Sequence, residues 1–359
     1  MRANLDRWSW LSFLALASAG PLAAQGSLTL ADSQQAGPGP GDNMVVAERR
    51  GESYVVSLAL DSDEAVVHRM DRSRLIPVGR LPVGDAPRAI ALARGGDFAV
   101  VANSNSDDLS VLEIGRDGEL REVRRVSSQG QNPFDVAVAH DDLVLVSNRD
   151  SDELALFHLD RRGDLRLLSR EPAGLSPHVV TVSPRGLVAV GNSGSNDLSL
   201  FELTRRGDLF PVQSSVPLSG FPVALGFGTF GRSLFVAQRS AQPGVIDDEI
   251  VAFRVGRRGQ LEEAGRTPCG RFLTDLEATP GGLFAVTMTP QGEDQVVAYR
   301  RRWTSLTLDA TLVTPGSPPP SFKQIATAPA RGRDRRRLDR HVLVTEYQAG
   351  WLRSIDYER

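Results

Sequence analysis

Four strand-like segments begin directly after a proline, and three of the residues that follow these prolines could bind or react with a ligand: Arg88, Phe134 and His178. An arginine and a histidine on different strands can hold one carboxylate, because both donate charge-assisted hydrogen bonds. A histidine or a glutamate can also serve as a general base, and an arginine can stabilise an oxyanion. The spacing therefore predicts a small-anion site. Hydrolysis is a further hypothesis, with His178 or Glu346 as the base and Arg88 as the anion donor.

Polar residues also recur at the end of the next strand in each segment. The aligned positions are Leu58, Asn103, Asn148, Asn192, Gln238, Met288 and Glu346. We predict that Asn103, Asn148, Asn192, Gln238 and Glu346, together with Arg239 beside Gln238, contribute to ligand binding. The alternative is that the three asparagines form hydrogen bonds with their own hairpin turns. Both interpretations stay open from the sequence.

Two other patterns do not indicate a cofactor or metal site. Gly226–Gly231 fits the dinucleotide pattern G-x-G-x-x-G, but a strand-like run, Ser233–Ala237, follows where a helix would be required. The five histidines, at positions 68, 140, 158, 178 and 341, lack metal-ligand spacing. The sequence predicts neither a cofactor nor a metal.

The candidate residues recur because the chain repeats one unit. Aligned valines at positions 56, 101, 146, 190, 236, 286 and 344 mark seven copies. A copy contains four short β-rich runs separated by turn residues, for example Arg88–Leu92, Phe98–Ala102, Leu109–Ile114 and Leu120–Val126. The body shows no apolar pattern of helical period. These features predict an all-β, seven-bladed β-propeller with four-stranded antiparallel blades.

The last copy supplies only three strands, Phe322–Thr327, Val342–Glu346 and Trp351–Asp356. Ser27–Ala31 is strand-like and precedes the first copy. We predict that it completes the seventh blade and covers an edge that would otherwise stay unpaired.

The amino terminus predicts export. Arg2 and Arg7 precede an apolar run, Trp8–Ala19, and small residues follow it. We expect a cleaved signal peptide over 1–24, a leader over 25–41 that includes the closing strand, and the propeller over 42–359. An uncleaved anchor is the alternative. The mature chain should have no transmembrane segment and should be periplasmic or secreted.

Composition and charge limit the partners. The formal net charge of −3 gives no reason to expect nucleic-acid binding, and a single cysteine, Cys269, excludes an intramolecular disulfide. Acidic turns recur on the side predicted to carry the ligand site. Arginine turns recur on the opposite side, at 116, 161–162, 205–206 and 257–258. This arginine face could dock on an anionic surface, or the charged turns could simply maintain solubility.

The segments Pro177–Gly186 and Asn192–Leu198 resemble the seven-bladed lactonase-type propellers, which include 6-phosphogluconolactonases and carboxymuconate cyclases, and the related YVTN-repeat propellers. The resemblance covers about residues 44–359 and implies a lactone hydrolase or cycloisomerase. That family carries a Pro-His block, an Arg-His pair one blade later and an acid at the next strand end. Here His178 matches the first block, whereas Val223, Ala224 and Arg239 occupy the other three positions.

These departures favour a role without catalysis. Valine and alanine supply neither a base for water nor a donor for an oxyanion. We therefore predict an exported binding or scaffold protein that holds a small anionic ligand or a protein partner at its channel mouth. The alternative is a lactonase, 6-phosphogluconolactonase or muconate-cyclase-like enzyme with a displaced active site.

Overall fold

The computed structural model describes residues 27–35, 40–72, 74–240, 248–280, 282–288, 293–302, 304–314, 322–328, 341–346 and 351–358. The predicted signal peptide lies outside these residues. Regular structure in the described ranges is β-strand apart from three short 3-10 turns, Arg94–Gly96, His140–Asp142 and Arg149–Ser151. None of these turns could span a membrane.

Twenty-seven strands account for the described β-structure, and they follow one another in chain order. They are β1 (Ser27–Gln35), β2 (Pro40–Arg49), β3 (Glu52–Ala59), β4 (Glu64–Asp71), β5 (Arg74–Pro82), β6 (Pro87–Ala93), β7 (Phe98–Asn103), β8 (Asp108–Ile114), β9 (Leu120–Ser127), β10 (Pro133–Val138), β11 (Leu143–Asn148), β12 (Glu153–Leu159), β13 (Leu165–Pro172), β14 (Pro177–Val182), β15 (Leu187–Asn192), β16 (Asp197–Leu203), β17 (Leu209–Pro217), β18 (Gly220–Phe227), β19 (Ser233–Ser240), β20 (Asp248–Val255), β21 (Leu261–Ala278), β22 (Gly282–Met288), β23 (Asp294–Arg302), β24 (Ser305–Thr314), β25 (Phe322–Ala328), β26 (His341–Glu346) and β27 (Trp351–Glu358).

The strands form antiparallel blades, of which two share a strand. Five sheets have four strands each, and the sixth has seven strands, β18 to β24. Its 18-residue strand β21 pairs with β20 through its first half and with β22 through its second half. It is therefore the outer strand of the fifth blade and the inner strand of the sixth. Counted this way the described chain has seven blades, and the predicted fold is confirmed.

The closing strand is confirmed as well. Strand β1 pairs antiparallel with β27, from Ser27 opposite Glu358 to Gln35 opposite Trp351. The seventh blade therefore has the order β1-β27-β26-β25. The strand extends beyond the predicted Ser27–Ala31, because the ladder continues past a register shift between Leu30 and Asp32.

Apolar side chains hold the blades face to face. Alternate residues of one strand point to opposite faces of its blade, so Val100 packs against the third blade and Val101 against the first. Seven such clusters occur in the described chain, one between each pair of neighbouring blades. The last joins Met44 and Val55 of the first blade to Leu343 and Leu352 of the seventh. The ring is thus closed by side-chain packing between its first and last blades.

Candidate functional site

The inner strands begin, and the second strands end, on one face of the ring, which we call the mouth. Four prolines at the starts of inner strands, at positions 87, 133, 177 and 222, lie opposite Asn103, Asn148, Asn192 and Gln238. The ladder shifts register immediately after each proline, so one residue is left without a partner across the ladder. Such bulges redirect a side chain away from its sheet. The bulged residues are Arg88, Phe134, His178 and Val223.

Three of these residues form one stack on neighbouring blades. The Arg88 guanidinium carbon lies 4.7 Å from the centre of the Phe134 ring. The ring centres of Phe134 and His178 are 4.3 Å apart and tilted by 32°. All three side chains are half-buried. The structure therefore brings together the three residues predicted from the positions after the prolines.

A second arginine, not anticipated from the sequence, joins this group. The Arg149 guanidinium carbon lies 5.3 Å from the centre of the Phe134 ring, and the Arg149 amide donates to the carbonyl of Asn132 at 2.9 Å. Arg149 directly follows Asn148, so it occupies the same repeat position as Arg239, which could have signalled it. We call Arg88, Phe134, Arg149 and His178 the mouth cluster.

The mouth cluster is suited to an anion. Each guanidinium lies within 6 Å of one ring centre, the range of a cation–π contact. The two guanidinium carbons are consequently no more than about 10 Å apart, roughly the screening length at ordinary salt, so their charges repel. A bound carboxylate or phosphate would relieve this repulsion and accept hydrogen bonds from both.

A second arginine–aromatic pair lies on the fifth and sixth blades. The Arg239 guanidinium carbon is 5.9 Å from the Phe272 ring centre, and Arg239 Nε donates to the Leu273 carbonyl at 2.8 Å. Phe272 is 47% exposed and adopts a φ of 49°, a backbone region that is unfavourable for a bulky residue. At the other two positions that depart from the family pattern, Val223 is half-buried and Ala224 is buried.

The four amide side chains that were predicted to bind a ligand form hydrogen bonds within the protein. Asn103, Asn148, Asn192 and Gln238 are buried, with at most 2% exposure. Asn103 Nδ2 donates to Asp108 Oδ1 at 2.7 Å, and Asn192 Nδ2 donates to Asp197 Oδ1 at 2.8 Å. Gln238 Nε2 donates to Glu249 Oε1 at 2.6 Å. For Asn103 and Asn192 this geometry supports the alternative that the asparagines form hydrogen bonds with their own hairpins, and contact of the four amides with a ligand stays a prediction.

The acidic turns connect neighbouring blades. Asp63, Asp107 and Asp152 each accept, through Oδ1, a hydrogen bond from the backbone N–H that precedes the proline of the next inner strand. The donors are Ala86 at 2.8 Å, Asn132 at 2.6 Å and Ser176 at 2.7 Å. The same three aspartates have φ between 53° and 55°, and their carbonyl groups accept a second backbone bond from the residue that directly follows the outer strand of their own blade. We call each of the bonds from a backbone N–H to an aspartate Oδ1 an inter-blade staple. Each staple fixes the segment that positions Arg88, Phe134 or His178.

One carboxyl group near the mouth cluster has a perturbed pKa. Asp135 follows Phe134 and accepts backbone hydrogen bonds from Val136 and, on the next blade, Val180, both at 2.8 Å. Burial raises its pKa to about 6, against the opposing effect of these two bonds. Asp275 makes an equivalent pair of bonds to Leu276 and Ile325. The recurrence indicates a second kind of inter-blade staple.

Two further predictions bear on catalysis or cofactors. Glu346 pairs through its backbone with Phe322 and Trp351, at the mouth end of β26, but its side chain lies outside the described part of the structure. Its proposed role as a base therefore stays a prediction. Across the described ranges, no three His, Cys, Asp or Glu side chains are grouped so that they could hold a metal ion.

Comparison with known proteins places this geometry in context. The family model described as lactonase, seven-bladed beta-propeller, matches residues 18–227, more than half of the chain. No curated protein sequence matches the chain. Several solved structures share the fold at low sequence identity.

Three of these structures have different functions. The periplasmic gluconolactonase of Pseudomonas aeruginosa is 19% identical, with a TM-score of 0.59 over 80% of this chain and 84% of that chain. Hydrazine synthase of Kuenenia stuttgartiensis is 13% identical, with a TM-score of 0.69 over 89% and 96%. Virginiamycin B lyase of Staphylococcus aureus is 13% identical, with a TM-score of 0.60 over 92% and 99%. At these identities the likeness extends to the fold alone.

Proposed function

The chain belongs to the lactonase family of seven-bladed β-propellers, and we propose that it hydrolyses a lactone bearing a carboxylate or phosphate group at the mouth. The observation that carries the proposal is the mouth cluster, where two arginines and a histidine surround one aromatic ring. This group supplies anion binding, an apolar platform for a sugar ring and a base within one small volume.

The proposed reaction uses His178 as the general base. Its imidazole accepts a proton from a water molecule while the water oxygen attacks the lactone carbonyl carbon. Arg88 stabilises the resulting oxyanion, and Arg149 holds the substrate's anionic group. The ring C–O bond then breaks, and the imidazolium returns its proton to the leaving alkoxide. Water and lactone are consumed, and one hydroxy acid is produced.

Family membership supports this proposal, and a gluconolactonase shares the fold. The amino-terminal sequence supports a periplasmic or secreted location, where such a lactone would have to be present. A second candidate function is ligand binding without turnover. It is favoured by Val223, Ala224 and Arg239, which replace the Arg-His pair and the acid expected in the family.

The two candidate functions predict different results with 6-phosphogluconolactone, which carries a phosphate group: an enzyme should hydrolyse it, whereas a binding protein should not. Neutral glucono-1,5-lactone, which lacks the anionic group, should be the poorer substrate. Lactone loss would be followed by hydroxamate formation, and binding by calorimetry with gluconate and 6-phosphogluconate. His178→Phe keeps an aromatic ring beside Phe134 but removes the base, so kcat should fall by about 100-fold or more with little change in KM. Arg149→Ser should raise KM by about 10-fold, the effect of one lost charged hydrogen bond.

The matched control is Arg205→Ser, an exposed arginine in a turn on the opposite face. Its kinetic constants should equal those of the wild type. Unchanged turnover in His178→Phe would rule out the proposed mechanism. Binding that depends on Arg149 in a protein without turnover would instead establish the second candidate.

A further inference from the structure

A cavity lies on the face opposite the mouth, between the fifth and sixth blades. Its volume is about 680 Å³, and its lining includes Arg232, Arg254 and Arg302. Ser305 and Thr304 add hydroxyl groups to the same wall. The three arginines lie at or next to strand ends remote from the mouth, before β19 and near the ends of β20 and β23. We call this the arginine cavity. Its volume is in the range of sites for small organic ligands.

The arginine cavity is unusually positive for this protein. The turns of the two blades on this face span residues 228–232, 256–260, 279–282 and 301–305, and they contain five arginines but no Asp or Glu. Turns of other blades on the same face contain acids, such as Asp117 and Asp160. Positive charge is therefore concentrated here rather than spread around the ring.

Acidic side chains in the described part of the protein neutralise little of the positive charge of the cavity arginines. Within the described residues, Arg232, Arg254 and Arg302 form no ion pair. Glu262 lies opposite Arg254 in the β20–β21 ladder, but the two side chains do not form an ion pair. All three arginines are exposed.

Two neighbouring arginines on the sixth blade, Arg300 and Arg301, form stabilising contacts within the protein. Arg301 donates through Nη2 to the Thr279 carbonyl at 2.8 Å, and its guanidinium lies over the Phe235 ring. Arg300 pairs with Asp309 at 2.7 Å. Arg302, the next residue on the same strand, instead lines the cavity. The cavity arginines are thus distinct from those that hold the blades together.

We propose that the arginine cavity binds a phosphate-bearing anion at a site separate from the mouth. Guanidinium groups match phosphate oxygens with paired hydrogen bonds, and three of them would neutralise the two or more charges of a phosphate ester or diphosphate. Ser305 and Thr304 can donate to the remaining oxygens. The phosphate could belong to a soluble ester or to a lipid headgroup.

An exposed aromatic residue beside the cavity distinguishes a lipid headgroup from a soluble phosphate ester as the ligand. Phe230 is 75% exposed and lies in the turn that ends at Arg232. An exposed phenylalanine beside cationic residues would add apolar contact with a lipid surface. It would contribute little to binding of a soluble phosphate.

The test uses the full folded protein, inorganic pyrophosphate as the soluble probe, and phosphatidylcholine vesicles with or without phosphatidylglycerol as the lipid probe. Calorimetry at about 0.05 M and 0.3 M salt should show pyrophosphate affinity that falls as salt rises. Arg232→Ser combined with Arg302→Ser should weaken binding by at least about 10-fold. The matched double variant, Arg205→Ser with Arg206→Ser, removes two exposed arginines from the fourth blade on the same face and should bind like the wild type.

The vesicle arm identifies the source. Sedimentation with phosphatidylglycerol vesicles that is lost in both Phe230→Ser and the cavity double variant would support a lipid headgroup. Pyrophosphate binding that is unaffected by Phe230→Ser, without sedimentation, would support a soluble ester. The proposal is overturned if neither probe binds, or if the cavity and control double variants lose binding equally. Loss of pyrophosphate binding in Arg149→Ser would also overturn it, because the mouth would then be the site.

Discussion

Replacing Asp152 tests whether the acidic turns staple the blades. Asp152 Oδ1 accepts the Ser176 N–H at 2.7 Å, and the Asp152 carbonyl accepts the Ala173 N–H at 2.9 Å. Asp152→Ala removes the first bond and keeps the second. It leaves the Ser176 N–H without its acceptor, one residue before the proline that precedes His178.

The decrease in the free energy of unfolding expected for Asp152→Ala has two parts. A hydrogen bond to a charged group contributes about 1.5–3 kcal/mol to the free energy of unfolding. Asp152 also has a φ of 53°, where alanine is disfavoured by about 1–2 kcal/mol. Asp152→Ala should therefore lower the free energy of unfolding by about 3–4 kcal/mol. Asp152→Gly should lose mainly the hydrogen bond, and Asp152→Asn, which keeps an acceptor and tolerates this φ, should lose only about 1 kcal/mol.

Urea unfolding followed by tryptophan fluorescence and circular dichroism would measure the series. Asp117→Ala is the matched control, since Asp117 is an exposed aspartate in a turn on the opposite face; it should change the free energy of unfolding by less than about 0.5 kcal/mol. If Asp152→Ala costs no more than Asp117→Ala, the carboxylate does not staple the blades. If Asn and Ala variants are equally unstable, the charge of the aspartate matters rather than its hydrogen-bond geometry.

Two further predictions concern pH and ring closure. Because the pKa of Asp135 is raised to about 6, the folded state binds the proton more tightly than the unfolded chain, and the contribution of Asp135 to stability should fall by about 2 kcal/mol between about pH 4.5 and pH 8. The difference in free energy of unfolding between wild type and Asp135→Asn should follow this change, and a difference independent of pH would contradict it. Deleting residues 27–35, which pair with β27, should leave a sheet edge that lowers stability and promotes self-association in size-exclusion chromatography; a stable monomer would show that closure does not depend on this strand.

The repeat was sufficient to predict the ring, because each copy carries the same alternation of apolar residues and the same turns. It also identified the closing strand, since the last copy lacked one strand and the strand-like Ser27–Ala31 precedes the first copy. The shared strand β21 was not evident. No turn separates the fifth blade from the sixth, because β21 pairs with β20 up to Gly270 and with β22 from Arg271 onward. A sequence pattern does not reveal where a continuous strand changes its pairing partner.

At the site, the sequence was most informative where a bulge follows a proline. Arg88, Phe134 and His178 could be placed together because the same position recurs in three blades. Arg149 was missed because it lies in the turn after β11, away from the positions that follow the prolines, and reaches the Phe134 ring only through the tertiary fold. The inter-blade bonds of Asp63, Asp107 and Asp152 were also missed, since the donor lies more than twenty residues further along the chain.

Some positions of the repeat carry the same kind of contact in several blades, whereas others differ in residue type from blade to blade. Buried amides such as Asn103 and Asn192 bind their own hairpins, and staples such as Asp107 bind the next blade. The amide position is asparagine or glutamine in the second to fifth blades, and the staple position is aspartate in the first three blades. The residue after the proline has no ladder partner, and the residue after the amide is serine in the second and fourth blades but arginine in the third and fifth. Changing residues at these two positions would alter the chemistry of the mouth, in keeping with the general rule that one fold can support different functions through different site residues.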